Sequence, residues 1–512
     1  MKEKVVIIYS TYNFTNRDGI NNKINAKRPP LAVEDRFYPP LGLLYLAAVL
    51  ERENIDVEFV DVTFLKNCFQ AVRDLVVRQK PLVVGIYVST FNLPLVKNMI
   101  PQIRNLSSET SVVIGGPHVH FEPAAVGYLG ADFGVVSDGE FAFLELVKAI
   151  FNNNDTAHIP NIIRKTGDGR IAVSPLQPIE NLDTLPFPAR RYWPYRIFSP
   201  LFNGNTASML SSRGCVFNCA FCASPHRGAF RPRSVKNIIE ELKYLSGSGV
   251  NSVDFVDDTM TLDRNRMENL CNEIIRQRLR IKWGCMSRID TVDKDLLVLM
   301  KRANCTHIKY GIESGSERVR SKLMNKQITN LQVKKILKET REAGLFSVGY
   351  FVLGMPGESV EEARETLRFA RGIGVDYVDF RMAMLFPGSA MSAEALQANK
   401  IPVDIWQRFA NGENLIYSVL DEETLSQMKF LRAQAMREHY FNISFLIKEI
   451  TDRTTGISSL CNKIKILLDK RYNSYLSYKS FSNFNPRASL FLNYCRMLTD
   501  RLMCYVLRLA GK

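Results

Sequence analysis

Short apolar runs of strand character alternate with amphipathic helical stretches twice in this chain, and that double alternation limits the folds open to it. In the first round, residues 1–152, strand-like runs fall at 4–9, 56–62, 83–89, 111–116 and 132–137, with a helical pattern at 41–53. Such runs joined by helical segments predict a doubly wound, Rossmann-like (flavodoxin-like) parallel α/β sheet, whose ligands lie beyond the carboxyl ends of the strands. The second round, residues 205–400, opens with a strand at 206–212 and a helix at 235–246 that carries Ile238, Ile239, Leu242 and Leu245 on one face. Strands near 252–256, 281–287, 306–312, 346–353 and 377–384 complete six strand–helix units and predict a central partial (β/α)6 barrel. Between the two, residues 153–204 are rich in Pro, Asp and Asn and read as an extended connector whose aromatics at 192–203 pack or line a pocket. Residues 401–512 read as a C-terminal helical, basic region.

If the first barrel strand ends near Ser212, the loop beyond it carries Cys215, Cys219 and Cys222 at C-x3-C-x2-C spacing. Three thiolates can hold a four-iron four-sulfur cluster and leave one iron open to a substrate, whereas an electron-carrier ferredoxin fills every position. Zinc is the alternative, with His226 completing a Cys3His site. Among the other cysteines, Cys271 shares a helical face with Met267, Leu270, Ile274 and Ile275 and reads as a small core hydrophobe. In the first round, Ser89 and Thr90 end one strand and Gly115, Gly116 and Pro117 another; glycines there let a backbone approach a bulky ligand.

The cysteine triad resembles that of the radical S-adenosylmethionine (radical SAM) enzymes, in which the methionine amine and carboxylate occupy the open iron and reductive cleavage yields a deoxyadenosyl radical. Residues 38–47, 115–118 and 137–140 together resemble the cobalamin-binding domain that precedes the radical domain in one large subfamily, which includes class B methyltransferases and anaerobic cyclases. That resemblance implies cobalamin contacts at Ser89, Thr90, Gly115, Gly116, Pro117, Gly139 and Glu140. The Asp-x-His-x-x-Gly motif of other cobalamin proteins is missing and no histidine precedes His118, so the resemblance implies cobalt without a histidine below it. His118 and His120 then read as solvent-facing or backbone-bonded. For S-adenosylmethionine the resemblance implies Asp257 and Asp258 at the methionine ammonium, Arg288 at its carboxylate, Glu313 and Ser314 at the ribose, and Gly354 and Gly357 near the adenine.

The implied activity is methylation of an unactivated carbon of a small molecule or lipid, using a 4Fe-4S cluster, S-adenosylmethionine and cobalamin. A radical cyclase or oxidative rearrangement on a tetrapyrrole or lipid scaffold is the second reading, and a noncatalytic cluster or cobalamin carrier the reading from another class. A transfer RNA methylthiotransferase is disfavoured, because its first domain brings three more cluster cysteines and Cys68 is the only cysteine before Cys215. An electron donor such as flavodoxin or ferredoxin is the implied protein partner.

Composition sets the remaining bounds. At 512 residues, 46% hydrophobic and 23% charged, the chain has a globular balance, and its ten scattered cysteines do not form a disulfide framework. No uncharged apolar run approaches the ~18 residues that a spanning helix needs, and no cleavage signature opens the chain, which predicts a cytoplasmic protein. Residues 430–512 hold 14 Lys and Arg against 5 Asp and Glu, much of the chain's +15. Such a basic amphipathic tail lies on the inner face of a membrane, meets an anionic substrate, or caps the barrel. Nucleic acid is not expected, since no basic stripe with stacking aromatics forms a recognisable module.

Overall fold

The computed structural model describes residues 2–10, 39–63, 65, 67–193, 205–413 and 418–440. The aromatics at 194–203 and the basic segment from 441 onward lie outside the described residues.

The first sheet is built from β1 (Lys2–Tyr9), α1 (Leu41–Arg52), β2 (Asp56–Asp61), α2 (Cys68–Gln79), β3 (Pro81–Tyr87), α3 (Leu93–Leu106), β4 (Ser111–Gly115), α4 (Pro117–Phe121), α5 (Ala125–Leu129), β5 (Phe133–Val135) and α6 (Gly139–Phe151). Its parallel strands run in the order β2-β1-β3-β4-β5, the flavodoxin-like order. Central strands buried on both faces need unbroken apolar runs, and Val5 to Ile8 in β1 supply one. Helices α1 and α6 cover one face, while α2, α3 and α5 cover the other.

Part of the expected connector belongs to this sheet. β6 (Ile162–Lys165) and β7 (Ile171–Val173) form a hairpin that adds antiparallel to the edge of β5. Ile162 and Ile163 are fully buried there, so the hairpin covers an edge that would otherwise present unpaired backbone groups.

The second sheet follows: β8 (Thr206–Met209), β9 (Ser212–Arg213), β10 (Arg231–Pro232), α7 (Val235–Gly247), β11 (Ser252–Phe255), α8 (Arg264–Arg276), β12 (Lys282–Ser287), α9 (Lys294–Arg302), β13 (Cys305–Glu313), α10 (Asn330–Glu342), β14 (Phe346–Leu353), α11 (Val360–Gly372), β15 (Tyr377–Met382), α12 (Ala390–Gln397), α13 (Ile405–Ala410) and α14 (Glu422–Tyr440). Six strands pair in parallel in the order β15-β14-β13-β12-β11-β8, an open half-barrel. Each helix from α7 to α12 begins on a Ser, Thr or Asp whose side chain accepts a backbone N–H of the first turn: Ser234, Asp263, Asp293, Thr329, Ser359 and Ser389. Those caps satisfy donors that a helix start leaves open. Cys271 sits in the core beside Met267, Leu270 and Ile274 as a buried thiol. α14 lies over β15 and α11, and Arg432 Nε donates to the Phe380 carbonyl at 2.6 Å.

The carboxyl edges of the two sheets meet. Phe91 beyond β3 contacts Phe386 beyond β15 edge to face at 5.6 Å, and the Phe121 ring beyond β4 lies against Gly388, where an added Cβ would come within 2.3 Å of it. A continuous apolar cluster crosses the junction, joining Val88, Met99 and Val119 to Met324, Met355, Leu385 and Trp406. Among the described residues no helix is long and apolar enough to cross a membrane.

Trp283 in β12 is fully buried, and its indole N–H donates to the Ala303 carbonyl at 2.6 Å. Trp283→Ala should lower the stability of the half-barrel by about 3–5 kcal/mol, read as a reduced denaturant midpoint with the first sheet less affected.

Candidate active site

The cysteine loop begins where β8 stops. The strand expected to run to Ser212 ends at Met209, because Asp257 beyond β11 captures the residues that follow. Its carboxylate accepts the Ser211 N–H at 3.1 Å on each oxygen, the Ser211 hydroxyl at 2.7 Å and the Ser212 hydroxyl at 2.5 Å. Arginines take the carbonyls of the same stretch, Arg233 on Leu210 at 2.7 Å and Arg266 on Ser211 at 2.6 Å. The chain leaves the parallel ladder and pairs β9 against β10, closing residues 214–230 into a loop. Gly214 at its base has φ +89°, and a Cβ there would lie 1.9 Å from the Ala229 carbonyl oxygen, so no side chain fits.

Cys215, Cys219 and Cys222 are half-buried free thiols of this loop. The Arg288 guanidinium beyond β12 lies 3.5 Å from the Phe217 ring centre, donates twice to Asp290 at 2.8 Å, and places Nη1 3.6 Å from Cys219 Sγ. Thr259 Oγ1 is 3.7 Å from Cys215 Sγ. Burial pushes the Cys219 and Cys222 thiols up; Lys326 and Arg288 act against burial at Cys219 and favour the thiolate, the form that binds iron.

These donors fit a cluster better than zinc. His226 is engaged elsewhere, with Nδ1 3.2 Å from Arg231 and Nε2 3.7 Å from Asp138, which removes the fourth zinc ligand. Among the described residues, no three metal-binding side chains converge on a single ion. A four-iron cluster asks for thiolates at separate irons instead.

The other strand ends divide into groups that face this loop and groups held within the scaffold. Asp258 is exposed and accepts the Ser224 hydroxyl at 3.0 Å, two residues past Cys222, whereas Asp257 is fully buried and occupied by Ser211 and Ser212. Glu313 ends β13 in the left-handed region at φ +71°, a conformation that costs a non-glycine residue about 1 kcal/mol or more and so suggests a positional demand. Its Oε1 accepts from Lys326 Nζ at 2.9 Å, and Lys326 also donates to the Gly311 carbonyl at 2.7 Å. Ser314 is sealed, its hydroxyl 2.9 Å from Thr366 Oγ1 of α11. Gly354 and Gly357 both have positive φ, +85° and +82°, and shape the loop beyond β14. Glu358 locks that loop by accepting the Gly354 and Met355 N–H groups on one oxygen, at 2.6 and 2.9 Å.

In the first sheet, Ser89 and Thr90 follow β3, with the Ser89 N–H bonded to Asn92 Oδ1 at 2.8 Å. Gly116 has φ +119°, and a Cβ there would meet the Val88 carbonyl at 2.6 Å; Pro117 then opens α4. This strand edge therefore has backbone where side chains are excluded, which suits a bulky planar ligand. Neither histidine is solvent-facing. His118 is buried, with Nδ1 3.1 Å from Thr90 Oγ1 and Nε2 2.8 Å from Tyr128 Oη, and burial lowers its pKa to about 3. His120 Nδ1 accepts the Ser137 N–H at 3.1 Å, the backbone-bonded role expected of it. Gly139 opens α6 with no room for a side chain beside Val135, and both Glu140 carboxylate oxygens are taken by Arg213, at 2.5 and 3.2 Å.

Several residues at this site carry no local sequence signal. Lys326 reaches Glu313 only because a π-helical turn, Val319–Leu323, bends the chain back. Arg320 in that turn is fully buried and donates to the Ile312, Ser314 and Ile328 carbonyls and to Asn330 Oδ1, pinning the end of β13. Asn92, also fully buried, ties the ends of β1 and β3 through the Ser10 and Tyr87 carbonyls at 3.0 and 2.9 Å.

Burial raises the Glu358 carboxyl to about 7, with Glu362 adding repulsion and Arg318 a smaller attraction. A carboxyl with a raised folded-state pKa contributes stability below the ordinary carboxylate range and loses it as pH rises through about 7. Wild-type protein should therefore lose thermal stability between about pH 5 and 8 by a component that Glu358→Gln lacks, measured as the difference between the two melting curves across that range.

Residues 209–370 match the family model for the Radical SAM superfamily, and residues 31–147 match the B12 binding domain. The uncharacterized methyltransferase PH0819 of Pyrococcus horikoshii is 31% identical over 421 residues, covering 80% of this chain and 90% of its own length. The anaerobic magnesium-protoporphyrin IX monomethyl ester cyclase of Rubrivivax gelatinosus is 25% identical, covering 80% of this chain and 75% of its own. Among solved structures, the radical S-adenosylmethionine methyltransferase TsrM of Kitasatospora setae, with cobalamin and a [4Fe-4S] cluster bound, shares the fold with a TM-score of 0.63 at 22% identity, over 78% of this chain and 79% of that one. The chain belongs to the radical SAM family whose members carry a B12-binding domain ahead of the radical SAM core.

Proposed function

We propose that this chain is a cobalamin-dependent radical SAM methyltransferase acting on an unactivated carbon. The observation that carries the proposal is the meeting of two strand edges, one bearing a three-cysteine loop and the other the Gly115–Gly116 backbone. When bound, the cluster with S-adenosylmethionine would supply hydrogen abstraction, and cobalamin the methyl group.

The residues of this chain would bind and orient. Cys215, Cys219 and Cys222 would hold the cluster, with Arg288 and Lys326 stabilising the thiolates. Asp258, Arg288 and Glu313 carry the charges suited to the amine, carboxylate and ribose of S-adenosylmethionine; Gly354 and Gly357 would admit the adenine. Asp257 and Ser314, assigned to the same cofactor from sequence, support this site from behind. Ser89, Thr90, Gly115, Gly116, Pro117 and Gly139 would border cobalamin. His118 has both ring nitrogens engaged, which supports cobalt held without a histidine below it. Excluding solvent and holding the substrate carbon between the two cofactors is the remaining task of the protein. The substrate would be a small molecule, and the reductant a low-potential carrier such as flavodoxin or ferredoxin.

Similarity to the magnesium-protoporphyrin cyclase supports a second reading, oxidative cyclisation. Products separate the two. Protein reconstituted anaerobically with iron, sulfide and hydroxocobalamin, reduced and given S-adenosylmethionine with candidate substrates, should release deoxyadenosine and S-adenosylhomocysteine together. A cyclase would release deoxyadenosine without the homocysteine product. Cys219→Ala should abolish deoxyadenosine, and cluster-loaded wild type that forms neither product would instead support a carrier.

A further inference from the structure

The Ser137–Glu140 turn beyond β5 sends two carboxylates into the other half of the molecule. Asp138 occupies the N-cap position of α6, yet its side chain does not cap the helix. Its Oδ1 accepts from Arg213, its Oδ2 accepts from Arg231 and, at 2.9 Å, from the Ile179 N–H. Glu140, in the first turn of α6, takes Arg213 on both oxygens. Asp138 and Glu140 side chains are 0% and 4% exposed, and Arg213 and Arg231 are 9% and 8% exposed. Arg213 also lies over the Tyr45 ring of α1 at 5.5 Å.

These arginines are the two feet of the cysteine loop. Arg213 directly precedes Gly214 and Arg231 follows the loop, and the two are register partners in the β9–β10 pair. The cluster is charge-balanced: its guanidiniums hold Asp138 down at about 2, and burial lowers His226 to about 4, leaving that imidazole neutral near pH 7. Desolvating four charges is costly unless geometry satisfies them, so such a cluster is weak support for stability and stronger support for a fixed arrangement.

We propose that Asp138, Glu140, Arg213 and Arg231 form a positioning clamp that sets the cysteine loop at a fixed distance from the carboxyl edge of the first sheet, and therefore the cluster from cobalamin. The link to cobalamin rests on the function proposed above; the clamp on the loop does not. None of the four need touch substrate or cofactor, so they are positioning residues. Two positively charged feet of one loop, each gripped by carboxylates from the other domain, restrain translation and tilt together.

Two measurements test this with Glu140→Gln, which leaves Asp138 bridging both arginines, and with Asp138→Asn where that variant folds. In protein without cofactors, hydrogen exchange of amides in 214–230 should quicken by about tenfold, as expected for loss of a buried charged hydrogen bond, while α7 stays unchanged. Unchanged loop exchange, or an equal rise in α7, would overturn the clamp. In protein loaded with both cofactors to wild-type occupancy, paramagnetic relaxation of cob(II)alamin by the reduced cluster should be altered in Glu140→Gln; identical relaxation would overturn the positioning role. Wild type that takes up no cobalamin would sink the proposed function and leave the exchange experiment to decide the clamp.

Discussion

Parallel strands place all their carboxyl-terminal loops along one edge of a sheet, and in this chain two such edges are pressed together. That constraint determines nearly everything else about the site. A ligand at either edge is at once near the other, and the loops beyond β3, β4 and β5 face those beyond β8 and β15. The junction is held by two kinds of force with different virtues. The apolar cluster from Val88 to Trp406 supplies most of the burial but little directional restraint, because apolar contact is non-directional. The buried arginine–carboxylate groups supply direction, since each guanidinium offers a planar set of donors at fixed angles. Arg190 and Arg233 on Glu241 repeat the arrangement just behind β8.

Much of the fold was legible because its signals are local. Strand and helix runs read from periodicity match the observed elements to within a few residues, as with 235–246 against Val235–Gly247 and 346–353 against Phe346–Leu353. Two places differ, and tertiary contacts explain both. β8 stops at Met209 although a strand to Ser212 was expected, because Asp257, Arg233 and Arg266 claim the polar groups that a further strand would have used. The β6–β7 hairpin was hidden in a segment read as connector; its signal was two short apolar runs around a Thr–Gly–Asp–Gly turn, meaningful only once β5 is seen to need an edge partner.

At the site, legibility tracks how local the chemistry is. Three cysteines within one loop announce themselves, and no folding is needed to bring them together. Neighbouring carboxylates Asp257 and Asp258 look equivalent in sequence, yet one is buried on Ser211 and Ser212 and the other is exposed beside Ser224. Ser314 and Glu313 diverge in the same way, because a left-handed turn sends consecutive side chains in different directions. Lys326, Arg320 and the Asp138–Arg213 contact could not be read from spacing at all, since the first two meet their partners only through the π-helical turn and the last joins residues that only the assembled sheets bring together.

The central claim is that the cysteine loop holds a four-iron cluster with one iron open to S-adenosylmethionine. The most direct test is the electron paramagnetic resonance spectrum of the anaerobically reconstituted, reduced protein, recorded with and without S-adenosylmethionine. The account predicts about four irons per chain and a cluster signal that shifts when S-adenosylmethionine is added. A cluster signal indifferent to it, or bound zinc in place of iron, would contradict the account.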